Sequence, residues 1–289
     1  MELNFIVKDT EMTINQILKK EFDISTILLN KLIKNKKILL NGDIGDTRLF
    51  PNVGDCITID LSTPEDNSNI VPTNIPLDII YEDNWLLIVN KPAGIAVHPS
   101  ILHYDNSLSN GVKFYFDKIG LNKKIRPVNR LDRNTSGLVL FAKCEYIQEC
   151  LIKQMKANIF KKEYLAICNG IFDERHGVIN LPVARKENSI IERCVSENGQ
   201  KSITHYNVLK ESNNLSLVNC ALETGRTHQI RVHMSAIGHP LIGDSLYGTD
   251  SDFIDRQALH CYKLKFIHPV TKCNLDFSCN LPSDFDFIK

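Results

Sequence analysis

The chain has 289 residues, 43% of them hydrophobic and 24% charged, a balance that fits one large folded domain and one small one. Its 34 basic and 34 acidic residues cancel, so binding of a nucleic acid would depend on local basic surface and not on net charge. The nine cysteines include no Cys-x-x-Cys pair, which argues against a disulfide framework or a zinc site and favours reduced thiols in a reducing compartment.

The N-terminal stretch MELNFIVKDTEMT lacks the apolar core of a signal peptide. No apolar run elsewhere is long enough to cross a bilayer. We therefore expect a cytoplasmic protein that does not associate with a membrane. Because no dedicated dimerisation segment is recognisable, we also expect a monomer.

Residues 1–61 have the pattern of a small module with two helices and a hairpin. Apolar residues recur at helical spacing over 14–22 and again over 27–32. A short apolar strand then reaches the Asn41-Gly42 turn, and residues 53–59 alternate like a second strand. Four lysines lie on or just after the second helix and could contact phosphates, although such runs are usually solvated faces: Lys31, Lys34, Lys36 and Lys37.

Residues 62–76 are rich in Ser, Thr, Asn, Asp and Pro, which is typical of a linker that lets its flanking parts move. From residue 77 the chain is rich in strands, beginning with a predicted hairpin over 77–90. Helical spacing returns at 145–157. Further strands are predicted at 161–168, 203–210, 215–222, 260–267 and 274–278. Since few helices separate them, we predict an α+β fold with a mixed, largely antiparallel sheet.

The segment 127–141 (PVNRLDRNTSGLVLF) places one carboxylate, Asp132, between Arg130 and Arg133 and just before an apolar strand. A carboxylate held ionised among cations at the end of a rigid strand is a usual way to position a nucleophile or base. A surface turn with a solvated ion pair has the same pattern. These residues alone do not decide between the two interpretations.

Two later segments also combine polar residues with regular structure. In the segment 161–166 (KKEYLA), Tyr164 lies in an alternating strand, where it is either a core tyrosine or a site residue. The segment 222–234 (LETGRTHQIRVHM) reads as a glycine turn followed by a short amphipathic helix. His228 and His233 are separated by about 140° around such a helix, a poor geometry for a metal, so we expect none. Residues 235–244 are expected to be structural.

These segments, together with NKPAGIAVHP at 90–99, resemble in their order the motifs of RluA-type RNA pseudouridine synthases. The resemblance covers roughly residues 77–285, and residues 1–61 resemble an S4 RNA-binding domain. The resemblance to the synthases implies a catalytic domain at 77–289 with a central active-site cleft.

The resemblance implies that Asp132 is the catalytic residue, that Tyr164 stacks on the target base and that Arg231 pairs with the carboxylate. Uridine would be isomerised to pseudouridine without a cofactor, and Asp132 would either add covalently or act as a base. The uridine must leave its helix, at a cost of roughly a few kcal/mol. Arg130 is implied to assist this step.

Further RNA contacts are expected from basic residues near the cleft and in the N-terminal module, which are Lys123, Lys124, Arg126, Arg133, Arg226, Lys31 and Lys34. Many family members have histidine where this chain has Asn129. Asparagine can form hydrogen bonds but cannot carry a proton near neutral pH, so we expect Asn129 to support the turn or the RNA backbone.

An S4-like domain joined to this catalytic domain resembles the branch that acts on the ribosomal large subunit. We therefore expect 23S rRNA as the target, with transfer RNA as the alternative. Two other classes remain open, a non-catalytic RNA-binding assembly factor and a glycoside hydrolase. A hydrolase would usually need a second catalytic carboxylate, and the motifs offer one.

Overall fold

The structure is a computed structural model that describes residues 1–8, 11–101 and 103–288. Its N-terminal part combines two short helices with a four-stranded sheet in the order β1-β4-β2-β3. The elements are β1 (Glu2–Ile6), α1 (Ile14–Phe22), α2 (Thr26–Lys34), β2 (Ile38–Leu40), β3 (Asp43–Ile44) and β4 (Cys56–Asp60).

Local sequence explains how these elements begin and turn. Thr13 caps α1 through a capping box, and the Ser25 hydroxyl caps α2 by accepting from the amide of Leu28. Asn41 and Gly42 both have positive φ, 53° and 92°, which confirms the predicted hairpin turn. Strand β1, which the sequence analysis did not assign, completes the sheet by pairing with β4.

The rest of the chain is built on a ten-stranded sheet and a separate two-stranded hairpin formed by β11 and β12. Its elements are β5 (Asp78–Glu82), β6 (Leu86–Lys91), α3 (Leu108–Lys118), β7 (Arg126–Pro127), β8 (Ser136–Ala142), α4 (Glu145–Lys156), β9 (Lys161–Asn169), β10 (His176–Asn180), β11 (Val183–Arg185), β12 (Arg193–Val195), β13 (Ile203–Ser212), β14 (Leu215–Leu222), α5 (Gln229–Ala236), β15 (Leu259–Ile267), β16 (Asn274–Ser278) and a closing 3-10 helix (Ser283–Ile288).

The main path of this sheet runs β10-β13-β14-β9-β15-β8-β6-β5. Among the described strands only β15 and β8 pair in parallel, so the predicted α+β fold with a mixed, largely antiparallel sheet is confirmed. The parallel pair sets the start of β8 beside the start of β15. A Cβ at Gly137 would lie 2.2 Å from the carbonyl oxygen of Cys261, so only glycine fits where these strands meet.

Residues 62–76 contain no helix or strand, yet they are bound to the part of the chain that follows them. The Lys123 ammonium donates to the carbonyls of Leu61 (2.5 Å) and Thr63 (2.7 Å), and Arg126 pairs with Glu65 at 2.5 Å. Both cations are buried. In this structure the segment is therefore held against the residues that follow it by these contacts. These contacts occupy and bury both side chains, so they do not support the expectation that Lys123 and Arg126 contact phosphates.

The N-terminal part also packs on α4. Four side-chain contacts join its helices and the turn between them to α4, namely Tyr146–Phe22, Ser25–Glu149, Lys153–Asp23 and Lys31–Glu145. Lys31, expected at an RNA phosphate, is thus paired within the protein. Lys34 lies on the same helix and is exposed. Near its C-terminal end α4 supplies Met155 to a cleft in the larger, C-terminal part, so one helix touches both regions.

Candidate active site

A cleft of about 440 Å³ opens beside the paired starts of β8 and β15. Its walls come from the turn before β8, from β9 and from the segment that leads into α5. Three predicted catalytic residues from three distant segments line it together, Asp132, Tyr164 and Arg231. The sequence motifs therefore meet at one place in the fold.

The carboxylate of Asp132 is partly exposed to the cleft and is held from one side. Its Oδ2 accepts a hydrogen bond from Arg231 Nη1 at 3.2 Å. His228 Nε2 lies 3.8 Å from the same oxygen. Asp132 Oδ1 has no partner among the residues that the structure describes. One oxygen is thus fixed by the protein and the other is open to a substrate.

Arg231 is itself fixed by a second carboxylate, that of Asp244. Two parallel hydrogen bonds of 2.7 Å join the guanidinium to Asp244, which is fully buried. The ring of Tyr247 lies 5.0 Å from the guanidinium carbon. Burial acts against the charge on Arg231, but the hydrogen bonds and charge of Asp244 outweigh it and raise the pKa of Arg231. Asp244 was expected to be structural, and the structure makes it part of the site.

Tyr164 projects from β9 into the cleft and is nearly buried. Burial raises the pKa of its hydroxyl well above 10, so the ring is neutral at physiological pH. An apolar ring face and a neutral hydroxyl suit contact with a nucleic-acid base.

Lys162 lines the same cleft two residues earlier on β9, and the sequence analysis did not single it out. Its ammonium has no hydrogen bond or ion pair among the described residues, and burial lowers its pKa. A Cβ at Gly225 would lie 2.8 Å from this ammonium. The glycine therefore leaves room for the lysine head. The alternation of β9 could have revealed Lys162, since residues i and i+2 share a face.

Asn129 lines the cleft but is buried, and both ends of its amide bond to the protein backbone. Nδ2 donates to the carbonyl of Leu138 at 3.0 Å, and Oδ1 accepts from the amide of Leu140 at 2.9 Å. Of the two roles expected for Asn129, these contacts support the turn before β8. Its assignment as an RNA contact stays a prediction.

The predicted arginines occupy different positions around the cleft. Arg130 and Arg226 are exposed and line it, and Arg226 also donates to the carbonyl of Lys201 at 3.3 Å. Arg133 is exposed but lies outside the lining, where its Nε donates to the carbonyl of Gly94 at 2.8 Å. Lys31 and Lys34 lie on α2, outside the cleft.

Two buried cations hold the turn that carries Asp132. Lys91 donates to the carbonyl of Arg133 at 2.9 Å, and Arg256 donates to that of Asn134 at 3.0 Å. Burial, with the charge of Arg256 added, lowers the pKa of Lys91 to about 7. The turn is therefore anchored before any ligand binds, which preorganises the carboxylate. Residue spacing reveals neither contact with this turn, because the carbonyls of Arg133 and Asn134 are distant in sequence from Lys91 and Arg256.

The two histidines of the α5 segment contact different groups. His228 faces Asp132, whereas His233 bonds to Thr204 and to the carbonyl of Leu181 inside the core. Within residues 1–8, 11–101 and 103–288, no group of three or more His, Cys, Asp or Glu side chains could hold a metal ion. In the same ranges, no helix has the length and apolar character needed to cross a membrane.

Comparisons with known proteins agree with this arrangement. A family model described as RNA pseudouridylate synthase matches residues 85–236. The chain is 38% identical over 270 residues to the uncharacterised RNA pseudouridine synthase YhcT of Bacillus subtilis, covering 93% of this chain and 89% of that protein. It is 39% identical over 249 residues to the ribosomal large subunit pseudouridine synthase D of Zymomonas mobilis, covering 81% and 78%.

A solved structure, human RNA pseudouridylate synthase domain containing 1, is similar with a TM-score of 0.61 and 27% sequence identity. The match covers 73% of this chain and 85% of the human one. The family match spans the segments that supply Asp132, Tyr164 and Arg231 to the cleft. The chain belongs to the RNA pseudouridine synthase family and is an isomerase that acts on RNA.

Proposed function

We propose that this enzyme is an RluA-type synthase that converts specific uridines of the ribosomal large-subunit RNA, 23S rRNA, to pseudouridine. The observation that carries the proposal is the pairing of Asp132 with Arg231 beside Tyr164 in one cleft. The target is supported by relatives named ribosomal large subunit pseudouridine synthase D. They occur in Zymomonas mobilis, Neisseria meningitidis and Vibrio cholerae and are 34% to 39% identical to this chain.

Asp132 is the proposed catalytic residue, and Oδ1 is the oxygen that meets the nucleotide. The reaction breaks the bond between ribose and N1 of uracil, rotates the base and joins ribose to carbon. Covalent addition by Asp132 and removal of a ribose proton both use a carboxylate at this position. Arg231 orients that carboxylate through its hydrogen bond to Oδ2. Tyr164 covers one face of the detached base and retains it in the cleft.

Binding of RNA is divided between two regions in this proposal. Arg130, exposed on the cleft, occupies the place that the extruded uridine leaves in its helix. Residues 1–61 form an S4-like domain whose exposed Lys34 contacts phosphate. Residues 62–76 join it to the catalytic domain at 77–289. We propose that the enzyme works as a monomer in the cytoplasm.

The experiment is to map pseudouridines across total RNA from cells with and without this gene. Sites that disappear without the gene should lie in 23S rRNA and return with the wild-type gene but not with Asp132→Asn. Sites lost only from transfer RNA would replace the proposed target. If no site is lost and the purified protein is inactive on both RNAs, the proposed activity is wrong and a binding role replaces it.

The purified Asp132→Asn variant provides the matching test of the residue. The substitution keeps the side-chain shape, so we expect an unchanged unfolding midpoint and RNA affinity within about threefold of wild type. The single-turnover rate should fall by about a thousandfold or more, a loss of roughly 4 kcal/mol of transition-state stabilisation. Retained activity would remove Asp132 from its proposed role.

A further inference from the structure

His228 has a backbone conformation that is unusual for its residue type. With φ 58° and ψ 17° it lies in the left-handed region immediately before α5. Its side chain makes no capping hydrogen bond to the helix, so capping does not account for the conformation. Strained residues of this kind persist where surrounding contacts hold them, and they are common at active sites. Here the conformation directs the ring into the cleft, where it lies near Asp132.

A chain of hydrogen bonds fixes which ring nitrogen of His228 carries the proton. The backbone N–H of Arg193, on β12, donates to the hydroxyl oxygen of Tyr247 at 2.7 Å. That oxygen also lies 2.8 Å from His228 Nδ1. Within the described residues, Nδ1 is the one acceptor in reach of the Tyr247 hydroxyl proton. Nδ1 therefore accepts, and in the neutral ring the proton resides on Nε2.

The opposite nitrogen, Nε2, faces the carboxylate. It lies 3.8 Å from Asp132 Oδ2, which is longer than a hydrogen bond but within reach of a small adjustment. Catalytic hydrogen bonds are often long in free enzymes and shorten when substrate binds. Burial lowers the pKa of His228. The positive charges of Arg231 and Arg193 lower it further, and the negative charge of Asp132, which raises it, does not outweigh them. The ring is therefore neutral at physiological pH.

We propose that His228 is a positioning residue for the isomerisation, whose Nε2–H donates to Oδ2 of Asp132 when RNA is bound. Arg231 and His228 then hold the same oxygen, and Oδ1 is turned toward the ribose. Tyr247 is the residue that sets the tautomer of His228. This inference rests on the proposed catalytic role of Asp132.

Two amide substitutions separate hydrogen-bond donation from a structural role. His228→Gln places an amide nitrogen near the position of Nε2, whereas His228→Asn places one near Nδ1. Asparagine tolerates the left-handed backbone better than glutamine does. A structural role therefore predicts that the asparagine variant is the better enzyme. The proposed donor role predicts that the glutamine variant is better, although its backbone is more strained.

We would measure single-turnover pseudouridine formation and RNA affinity with total ribosomal RNA from cells that lack the gene. The expected rate loss is about 10- to 100-fold for His228→Asn, in keeping with loss of a hydrogen bond to a charged group. It should be at least fivefold smaller for His228→Gln. Both dissociation constants should stay within about twofold of wild type. Equal rates, or a faster asparagine variant, would overturn the proposal.

A second readout requires no RNA. Nitrogen-15 NMR of the free enzyme should show His228 protonated on Nε2, and Tyr247→Phe should remove that preference. In the rate assay with RNA, the same variant should react about tenfold more slowly than wild type. The phenylalanine ring can still lie against Arg231. A wild-type ring protonated on Nδ1 would overturn the proposal. Activity retained by Asp132→Asn in the same rate assay would instead remove Asp132 from the catalytic role on which this inference rests, and inactivity of the wild-type protein on both RNAs would refute the proposed function, so the failures are distinguishable.

Discussion

Arg231 contacts two carboxylates with one guanidinium, and the two contacts differ in strength. It forms two bonds of 2.7 Å to Asp244 but a single bond of 3.2 Å to Asp132. Paired, charge-assisted hydrogen bonds are the stronger type and define the orientation of the guanidinium plane. Asp244 therefore fixes the cation, and the remaining Nη1 is presented to Asp132.

We predict that Asp244→Asn lowers both stability and turnover. The change leaves the buried guanidinium of Arg231 with a poorer partner, and breaking a buried pair typically costs about 3–5 kcal/mol. The free energy of unfolding in urea should fall by about that amount, and the single-turnover rate should fall at least tenfold.

The matched control for this prediction is Asp284→Asn. Asp284 makes a similar paired contact to Arg256, at 2.7 and 2.9 Å, but is 40% exposed. Solvent screens an exposed partner, so a smaller loss of stability is expected. Equal losses of stability and rate in both variants would mean that Asp244 has no special role in holding Arg231.

The sequence predicted those site residues that lie in local motifs. Asp132 and Arg231 could be found because the segments that carry them resemble motifs of RluA-type synthases, whereas local spacing alone marks only a turn and a short helix. Asp244 and Lys91 carried no such mark. Their roles depend on burial and on partners that the fold brings close to them. Neither can be read from the spacing of residues in the sequence. His228 was considered only as a metal ligand, because its hydrogen bond to Tyr247 depends on the fold.

At the scale of elements, local sequence also predicts the regular strands, but it does not predict an element whose residues are explained by distant packing. The hairpin predicted at 77–90 is confirmed as β5 and β6, and the strand predicted at 215–222 is confirmed as β14. Helix α3 was not predicted, since Gly111 in its interior weakens the helical signal. The glycine is explained by packing, because a Cβ there would lie 3.1 Å from the Cβ of Ile75.

Strand β15 carries a buried histidine that makes stability depend on pH. His260 bonds to Ser136 at the start of β8 and to Cys279, and burial lowers its pKa from 6.5 to about 4. Above pH 6.5 the ring is neutral in both the folded and unfolded chain. Between pH 6.5 and 4 the unfolded chain binds the proton more readily, so the free energy of unfolding falls as the pH falls.

This histidine should contribute about 2 kcal/mol to the loss of stability between pH 7 and pH 5. The measurement is urea unfolding at both pH values for the wild type and for His260→Gln, which keeps an amide near the same partners. We expect the loss to be smaller in the variant by about that amount. An equal loss in both proteins would assign the pH dependence to other groups.

The contacts that hold residues 62–76 give a second prediction at this scale, which concerns stability. Lys123 is buried and donates to the carbonyls of Leu61 and Thr63, whereas its neighbour Lys124 is exposed. Lys123→Met leaves both carbonyls without this donor, so the free energy of unfolding should fall by about 1–3 kcal/mol.

Lys124→Met is the control in the same urea experiment, and it should change the free energy of unfolding by at most about 0.5 kcal/mol. A contact with phosphate would have the opposite signature, a weaker RNA affinity with unchanged stability. If Lys123→Met weakened RNA affinity without changing stability, the interpretation of Lys123 as a hydrogen-bond donor within the protein would be wrong.

At the scale of the whole molecule, a net charge of zero must be reconciled with an anionic substrate. Acidic side chains neutralise many of the cations locally, as Glu65 does for Arg126 and Glu145 does for Lys31. The cations that stay exposed and have no ion pair among the described residues are therefore more informative than the total. On the N-terminal part these include Lys34 and Lys36, on or just after α2.

We predict that the double variant Lys34→Ala, Lys36→Ala weakens RNA binding without slowing the chemistry. Each phosphate contact contributes roughly 0.7–0.9 to the slope of log affinity against log salt concentration, so the slope should become shallower by roughly 1.5. The single-turnover rate at saturating RNA should stay within about twofold of wild type, because both lysines lie outside the cleft. Lys31→Ala is the control, and its effect on the slope should be smaller because Glu145 already pairs with that lysine. An unchanged slope in the double variant would exclude this face from RNA binding, and a slower rate at saturation would mean that the N-terminal part also shapes the active site.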